Sequence, residues 1–252
     1  MDRPRVDRAG RNARLDAPHV IEQRFARLHS VAPIVERDQQ RLAVGEALVE
    51  VALGESGLGA HRRHRRAGLT PGREEGDGRL DRSDIRSDPE NGTIKAGAPL
   101  QIAIVVSRIG TGGACTPLPG ARVDLWQCDA DGVYSGVRDP SFDTMGQLFL
   151  RGYQVTDGTG TARFTTIYPG WYRGRTVHTH FKVRTEPSAA RGHEFTSQLY
   201  FDDALTDRVH ARAPYVSKGQ RTVRNEGDGI FRRNGSQLML SVAEAGEGYS
   251  GT

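Results

Sequence analysis

Thr161-Ala162-Arg163-Phe164-Thr165-Thr166-Ile167-Tyr168-Pro169-Gly170-Trp171-Tyr172-Arg173-Gly174-Arg175-Thr176-Val177-His178-Thr179-His180 holds a strand, a break and the start of a second strand. Residues Thr161–Ile167 are rich in β-branched and aromatic side chains, which suit a pleated surface. Pro169-Gly170 then stops the run, because proline lacks an N–H for the ladder and glycine accepts turn geometry. His178 and His180 open the next strand two residues apart. Strand side chains alternate, so both imidazoles fall on one face. Tyr172 is left on the intervening loop.

The same texture extends in both directions. The sequence predicts strands over Pro99–Ile109, Ala121–Gln127, Phe149–Val155, Thr161–Ile167, Val177–Arg184, Thr196–Phe201 and Gln237–Val242. Turn signals separate them at Pro119-Gly120, Asp131-Gly132, Asp157-Gly158, Pro169-Gly170 and Glu226-Gly227-Asp228-Gly229. Short strands at this spacing, without intervening helical patterns, predict an all-β fold, an antiparallel β-sandwich or barrel.

Tyr134 follows the Asp131-Gly132 turn, where a side chain can reach out of the sheet. Two phenols, Tyr134 and Tyr172, with His178 and His180, make a donor set of distinct character. Imidazole suits several transition metals, whereas phenolate is a hard anionic donor that favours a highly charged ion such as Fe(III). Two tyrosinates and one hydroxide balance the ferric charge, and two neutral histidines complete a five-coordinate shell. A zinc site more often draws on Cys, His and carboxylate. Taken singly, each of the four has an ordinary explanation as a sheet tyrosine or a strand histidine. The His-x-His pair with a tyrosine upstream is far harder to obtain by chance.

Of 252 residues, with formal net charge +4, the first 90 hold 17 arginines, no lysine and a single Phe, Tyr or Trp residue, Phe25. All seven tyrosines, both tryptophans and both cysteines lie beyond residue 114. Large apolar side chains dominate core energetics, so residues 77–252 are expected to be the folding domain. Residues 1–76 are expected to be an Arg-rich extension, disordered or partly helical, with helical spacing over Ile34–Leu53. Arginine without lysine also matches a non-authentic, frame-shifted segment. His61-Arg62-Arg63-His64-Arg65-Arg66 reads as a solvated tail rather than a nucleic-acid arm, since no aromatics interleave with the charges. No apolar run reaches membrane-spanning length, so neither nucleic acid nor membrane is an expected partner. Localisation is unassigned, and Cys115 and Cys128 leave a disulfide and two free thiols equally open.

Over roughly residues 79–252 the sequence resembles the intradiol ring-cleavage dioxygenases, most similarly small single-domain members akin to the protocatechuate dioxygenase β chain. The resemblance rests on Pro119–Gly136, Phe149–His180, Ser197–Asp203 and Asp207–Arg233, and above all on Tyr172-x5-His178-x-His180. It implies non-haem Fe(III) held by Tyr134, Tyr172, His178 and His180. It implies that Tyr172 is the axial ligand, leaving the metal when a catechol chelates it and accepting a substrate proton. Arg175 corresponds to an arginine that stabilises carbanionic character on the ring, and Gln198 to a glutamine lining the pocket. The implied reaction opens a small aromatic diol between its hydroxyls with O2, giving a cis,cis-muconate-type diacid.

Two departures stand out. Leu69–Asp77 contains no Tyr or Phe where family members carry a Thr-Glu-Gly-Pro-Tyr/Phe-type segment, and the chain is expected to lack a last short strand after Tyr249-Ser250-Gly251-Thr252. Arg175 has an alternative as half of an ordinary ion pair, and Gln198 as a strand glutamine facing water. Trp126 and Trp171 read as core or rim packing. Rival functions are a non-catalytic β-sandwich binding module and a zinc hydrolase using His178 and His180 with a carboxylate. The particular diol is not legible, and the chain is compatible with a homo-oligomer.

Overall fold

The computed structural model describes residues 47–54, 77–110, 114–185, 194–245 and 248–251. All belong to one compact unit, Ala43–Thr252. The His61–Arg66 cluster, the Leu69–Gly76 departure and residues 34–46 of the expected helix lie outside the described residues.

Strands β1 (Ala47–Gly54), β2 (Pro99–Ile109), β3 (Cys115–Pro117) and β4 (Arg122–Trp126) are followed by the short β5 (Arg138–Asp139) and β6 (Phe142–Asp143). Strands β7 (Arg151–Val155), β8 (Thr161–Ile167), β9 (His178–Arg184) and β10 (Glu194–Tyr200) precede helix α1 (Asp203–His210), and β11 (Val242–Ala245) and β12 (Gly248–Gly251) close the described chain. One six-stranded sheet has the order β1-β2-β12-β11, with β3 and β8 also pairing with β2. A four-stranded sheet has the order β10-β9-β4-β7. Ile102, Ile104 and Phe164 of the first share one buried cluster with Val123, Leu125, Phe181, Val183 and Leu199 of the second. Side chains of this size contribute roughly 1.5–3 kcal/mol each on full burial, so this cluster fixes the inward face of both sheets. The alternate residues of β4 and β9, including Trp126, His178 and His180, are thereby committed to the opposite face.

Four features differ from the sequence reading. Residues 47–53, expected within a helix, lie in β1, whose Ala47–Gly54 is in parallel register with Ile102–Ile109 of β2. Val49 and Val51 favour strand, and pairing satisfies the backbone groups of an open edge. This sheet is mixed rather than wholly antiparallel, because β12 also runs parallel to β2 while β3 and β8 pair with β2 antiparallel. Parallel neighbours are joined by long connections, which no hairpin signal announces. Gln237–Val242 is not a strand: Gly235–Leu238 is a 3-10 turn and β11 starts only at Val242. The chain reverses there because Asn234 is left-handed (φ 71°) and a Cβ at Gly235 would meet the Phe231 ring at 2.7 Å. Helix α1 was also not foreseen. Asp202 caps it by accepting from Leu205 N at 2.7 Å, and its eight residues are too few to display a helical period.

Candidate metal centre

The β9 strand lies between β4 and β10, and register places the two histidines among particular neighbours. His178 is paired with Tyr200 and His180 with Gln198, while Trp126 on β4 faces His180 from the other side. The Trp126 indole stacks on the His180 ring, with centroids 5.0 Å apart and planes within 5°. His178 Nδ1 lies 2.7 Å from Thr176 O. A carbonyl only accepts, so Nδ1 carries the proton and Nε2 the lone pair. That nitrogen is 3.1 Å from His180 Nε2 and 3.2 Å from Tyr172 Oη. Two metal–nitrogen bonds of about 2 Å at roughly right angles give a separation of this size.

The phenols arrive from two loops that are fastened together. Asp129 Oδ1 accepts from Asp131 N and Val133 N, folding the turn that precedes Tyr134. Thr144 Oγ1 donates to Tyr134 O at 2.6 Å. On the Tyr172 loop, Gly170 N donates to Asp129 O at 3.1 Å. The approach is so close that a Cβ on Gly170 would lie 2.3 Å from Ala130 O and 2.5 Å from Asp129 O. The Tyr134 and Tyr172 rings meet edge to face, 5.7 Å between centroids. Tyr134 Oη is buried without a hydrogen-bond partner among the described residues. An orphaned buried hydroxyl costs about 1–3 kcal/mol, and a bound cation would remove that cost.

Burial sets the electrostatics. It pushes His178 down to about 3, with the Arg175 charge reinforcing the effect. His180 is lowered well below the ordinary histidine range by burial and then by His178. Both imidazoles are therefore neutral donors. Burial holds the Tyr134 phenol well above its usual value, with Tyr172 adding to it. The Tyr172 phenol is pushed up to about 12 by burial, partly offset by Arg175. A desolvated pair of phenolates needs a strongly charged cation beside it, so the donor set fits ferric iron. Among the described residues, no group of three or more His, Cys, Asp and Glu side chains converges in a metal-binding arrangement. The zinc-hydrolase reading, which needs a carboxylate beside His178 and His180, thus finds no support.

The sequence profile of a family described as dioxygenase matches residues 82–224, more than half of the chain and including all four of these side chains. The chain belongs to the intradiol ring-cleavage dioxygenases. A chlorocatechol 1,2-dioxygenase of Pseudomonas putida is 33% identical over 104 residues, covering 34% of this chain and 36% of its own. A second chlorocatechol 1,2-dioxygenase, from Pseudomonas sp. strain P51, is 31% identical over 104 residues, again 34% of this chain and 38% of its own. The match thus spans little more than a third of these curated relatives. Among solved structures, an intradiol ring-cleavage dioxygenase from Tetranychus urticae is 30% identical with a TM-score of 0.56, covering 68% of this chain and 83% of that one. Family membership leaves the non-catalytic binding module without support.

Around these four side chains, the structure brings Arg175 and Gln198 together. Arg175 Nη2 donates to Gln198 Oε1 at 2.5 Å, and its Nε donates to Asp228 Oδ2 at 2.7 Å. Arg175 is thus half of an ion pair and also in contact with the other predicted pocket residue. Sequence reasoning missed Asp228, which lay hidden inside a Gly-rich turn signal, and Tyr200, whose hydroxyl donates to Gln198 Oε1 at 3.0 Å. Trp126 is buried, with Cys128 and Tyr134 rather than between the two sheets. The indole of Trp171 donates to Gly219 O at 3.1 Å. Cys115 and Cys128 are free thiols, and Cys128 is buried beside Trp126 and Tyr134.

Proposed function

We propose that the protein is an Fe(III)-dependent dioxygenase that opens a catechol-type ring between its two hydroxyls, giving a cis,cis-muconate-type diacid. The single observation carrying this reading is the meeting of two phenols and two imidazoles on one face of the four-stranded sheet. The two sheets are read as the layers of an intradiol β-sandwich. Tyr134, Tyr172, His178 and His180 would hold the iron. Ferric iron, when held there, would supply Lewis acidity toward an aromatic diol and so favour its reaction with O2.

The chain's own residues divide the remaining work. His178 and His180 are neutral donors fixed on a strand, and the Thr176 carbonyl sets the His178 tautomer. Tyr134, deeply buried, would serve as an anionic ligand once a cation is bound beside it. Tyr172 stands on a loop and is less buried, so it would be the phenol placed to take a proton from the incoming diol. Arg175 offers a fixed positive charge to the electron-rich ring, preorganised by its bonds to Asp228 and Gln198.

The test is direct. Protein loaded with ferric iron is given catechol or chlorocatechol, the substrate in the curated relatives' name, under 18O2. A diacid carrying two 18O atoms per molecule is expected. Absence of ring-opened product, or product with unlabelled oxygen only, contradicts the reading.

A further inference from the structure

We propose that Asp228 is a positioning residue: it locks the Arg175 guanidinium onto Gln198 and so leaves the Gln198 amide N–H2 as the donor offered to the bound diol. The inference rests on the functional reading above and assigns work to residues beyond the metal ligands.

Asp228 is fully buried and each carboxylate oxygen accepts two N–H donors. Oδ1 takes Ile230 N at 2.7 Å and Phe231 N at 2.9 Å. Oδ2 takes Arg175 Nε at 2.7 Å and Thr176 N at 2.9 Å. A second tie joins the same loop to the segment leading into β9, since Thr176 Oγ1 donates to Asn225 Oδ1 at 2.7 Å. Asn225 Nδ2 in turn donates to Phe201 O at 2.9 Å. Arg175 therefore has its Nε committed and its fork aimed at β10.

A guanidinium donates and never accepts. Its 2.5 Å contact therefore fixes the Gln198 carbonyl toward Arg175. Tyr200 Oη donates to that same oxygen, which uses both of its lone pairs. The amide nitrogen is the remaining polar group of Gln198, a residue paired in register with His180 and so on the metal side of the sheet. Remove Asp228 and Arg175 loses both its buried counter-charge and its orientation. Gln198 is then free to turn its carbonyl toward an anionic substrate oxygen, which it would repel.

Asp228→Asn tests this, because an amide can satisfy only one of the two donor pairs. In the ferric protein we expect unchanged iron content and resting tyrosinate absorption, with kcat for catechol lowered about 10- to 100-fold. On an Arg175→Gln background the same change should add less than threefold, since both act through one group. In the metal-free protein the Arg175 Nε–H resonance should be protected from exchange in the parent and lose that protection in Asp228→Asn. Parental kinetics, or a full additional loss on the Arg175→Gln background, overturns the proposal. If Asp228→Asn does not fold, Gln198→Glu serves instead: it keeps an acceptor for Arg175 but removes the N–H2 donor. At least a tenfold drop in kcat/KM with iron retained is expected there, and parental kcat/KM overturns the proposal. A parent lacking iron-tyrosinate absorption instead overturns the functional reading, whatever the exchange measurement shows.

Discussion

Replacing Gly170 by alanine should separate the two loops that carry Tyr134 and Tyr172. The added Cβ would fall 2.3 Å from Ala130 O, 2.5 Å from Asp129 O and 2.6 Å from Ala130 C. All three are backbone atoms of the turn that aims Tyr134, so no flexible side chain can move aside. Overpacking of this kind costs about 1–3 kcal/mol. Pushing the loops apart also breaks the Gly170 N to Asp129 O bond, for about 1 kcal/mol more. Restricting the unfolded chain returns about 0.4–1 kcal/mol. The net loss is about 1–3.6 kcal/mol, and for a domain of this size that lowers Tm by about 2–14 °C. Gly158→Ala is the control, because nothing lies within 4 Å of a Cβ there. Differential scanning calorimetry on the two metal-free variants gives the comparison. Gly170→Ala should also bind ferric iron more weakly, through displacement of Tyr172. A Gly170→Ala protein with the same Tm as Gly158→Ala would refute the reasoning that these loops are held at contact distance.

Tyr134→Phe should act with opposite signs on the two forms of the protein. Removing the orphaned hydroxyl is expected to leave the metal-free Tm unchanged or raise it by a few degrees, while ferric affinity measured by titration falls at least about tenfold. Chelation of iron from the loaded protein should lower Tm by about 5–10 °C, corresponding to the ~2.7 kcal/mol that ligand at a hundredfold excess over Kd confers; an unchanged Tm would mean that the folded protein has no site for it. His210 is kept neutral mainly by burial, its pKa lying below the ordinary 6.5, and Nε2 lies 3.0 Å from Pro169 O. The unfolded chain takes up this proton first, so stability from this residue is intact above about pH 7 and lost as pH falls below 6.5. Urea midpoints at pH 5.5 and 7.5 should differ less for His210→Gln than for the parent, shared contributions of His178 and His180 cancelling in that comparison. Equal differences would contradict it.

Much of the site could be read because its chemistry is concentrated. His178 and His180 share a face by strand geometry alone, and Tyr172 lies six residues upstream on a loop punctuated by Pro169-Gly170. Strands β2 and β8 were legible to the residue, β2 from its run of β-branched residues and β8 from its place between Asp157-Gly158 and Pro169-Gly170. What escaped was set by tertiary partners. β1 is a strand through pairing with distant β2, which decides between the helical spacing of its segment and the strand preference of Val49 and Val51. Helix α1 spans two turns and depends on the Asp202 cap and on the burial of Leu205 and Val209. Asp228 belongs to a Gly-rich loop whose sequence reads as a turn. Its role exists only because folding brings it 2.7 Å from Arg175, 53 residues away.

The central claim is that Tyr134, Tyr172, His178 and His180 hold ferric iron open to a chelating diol. It is tested most directly by the visible absorption spectrum of the ferric protein, before and after anaerobic addition of catechol. The account predicts a broad tyrosinate-to-iron band that moves to longer wavelength with catechol and is altered separately by Tyr134→Phe and by Tyr172→Phe. A folded protein that stays colourless with ferric iron would contradict it.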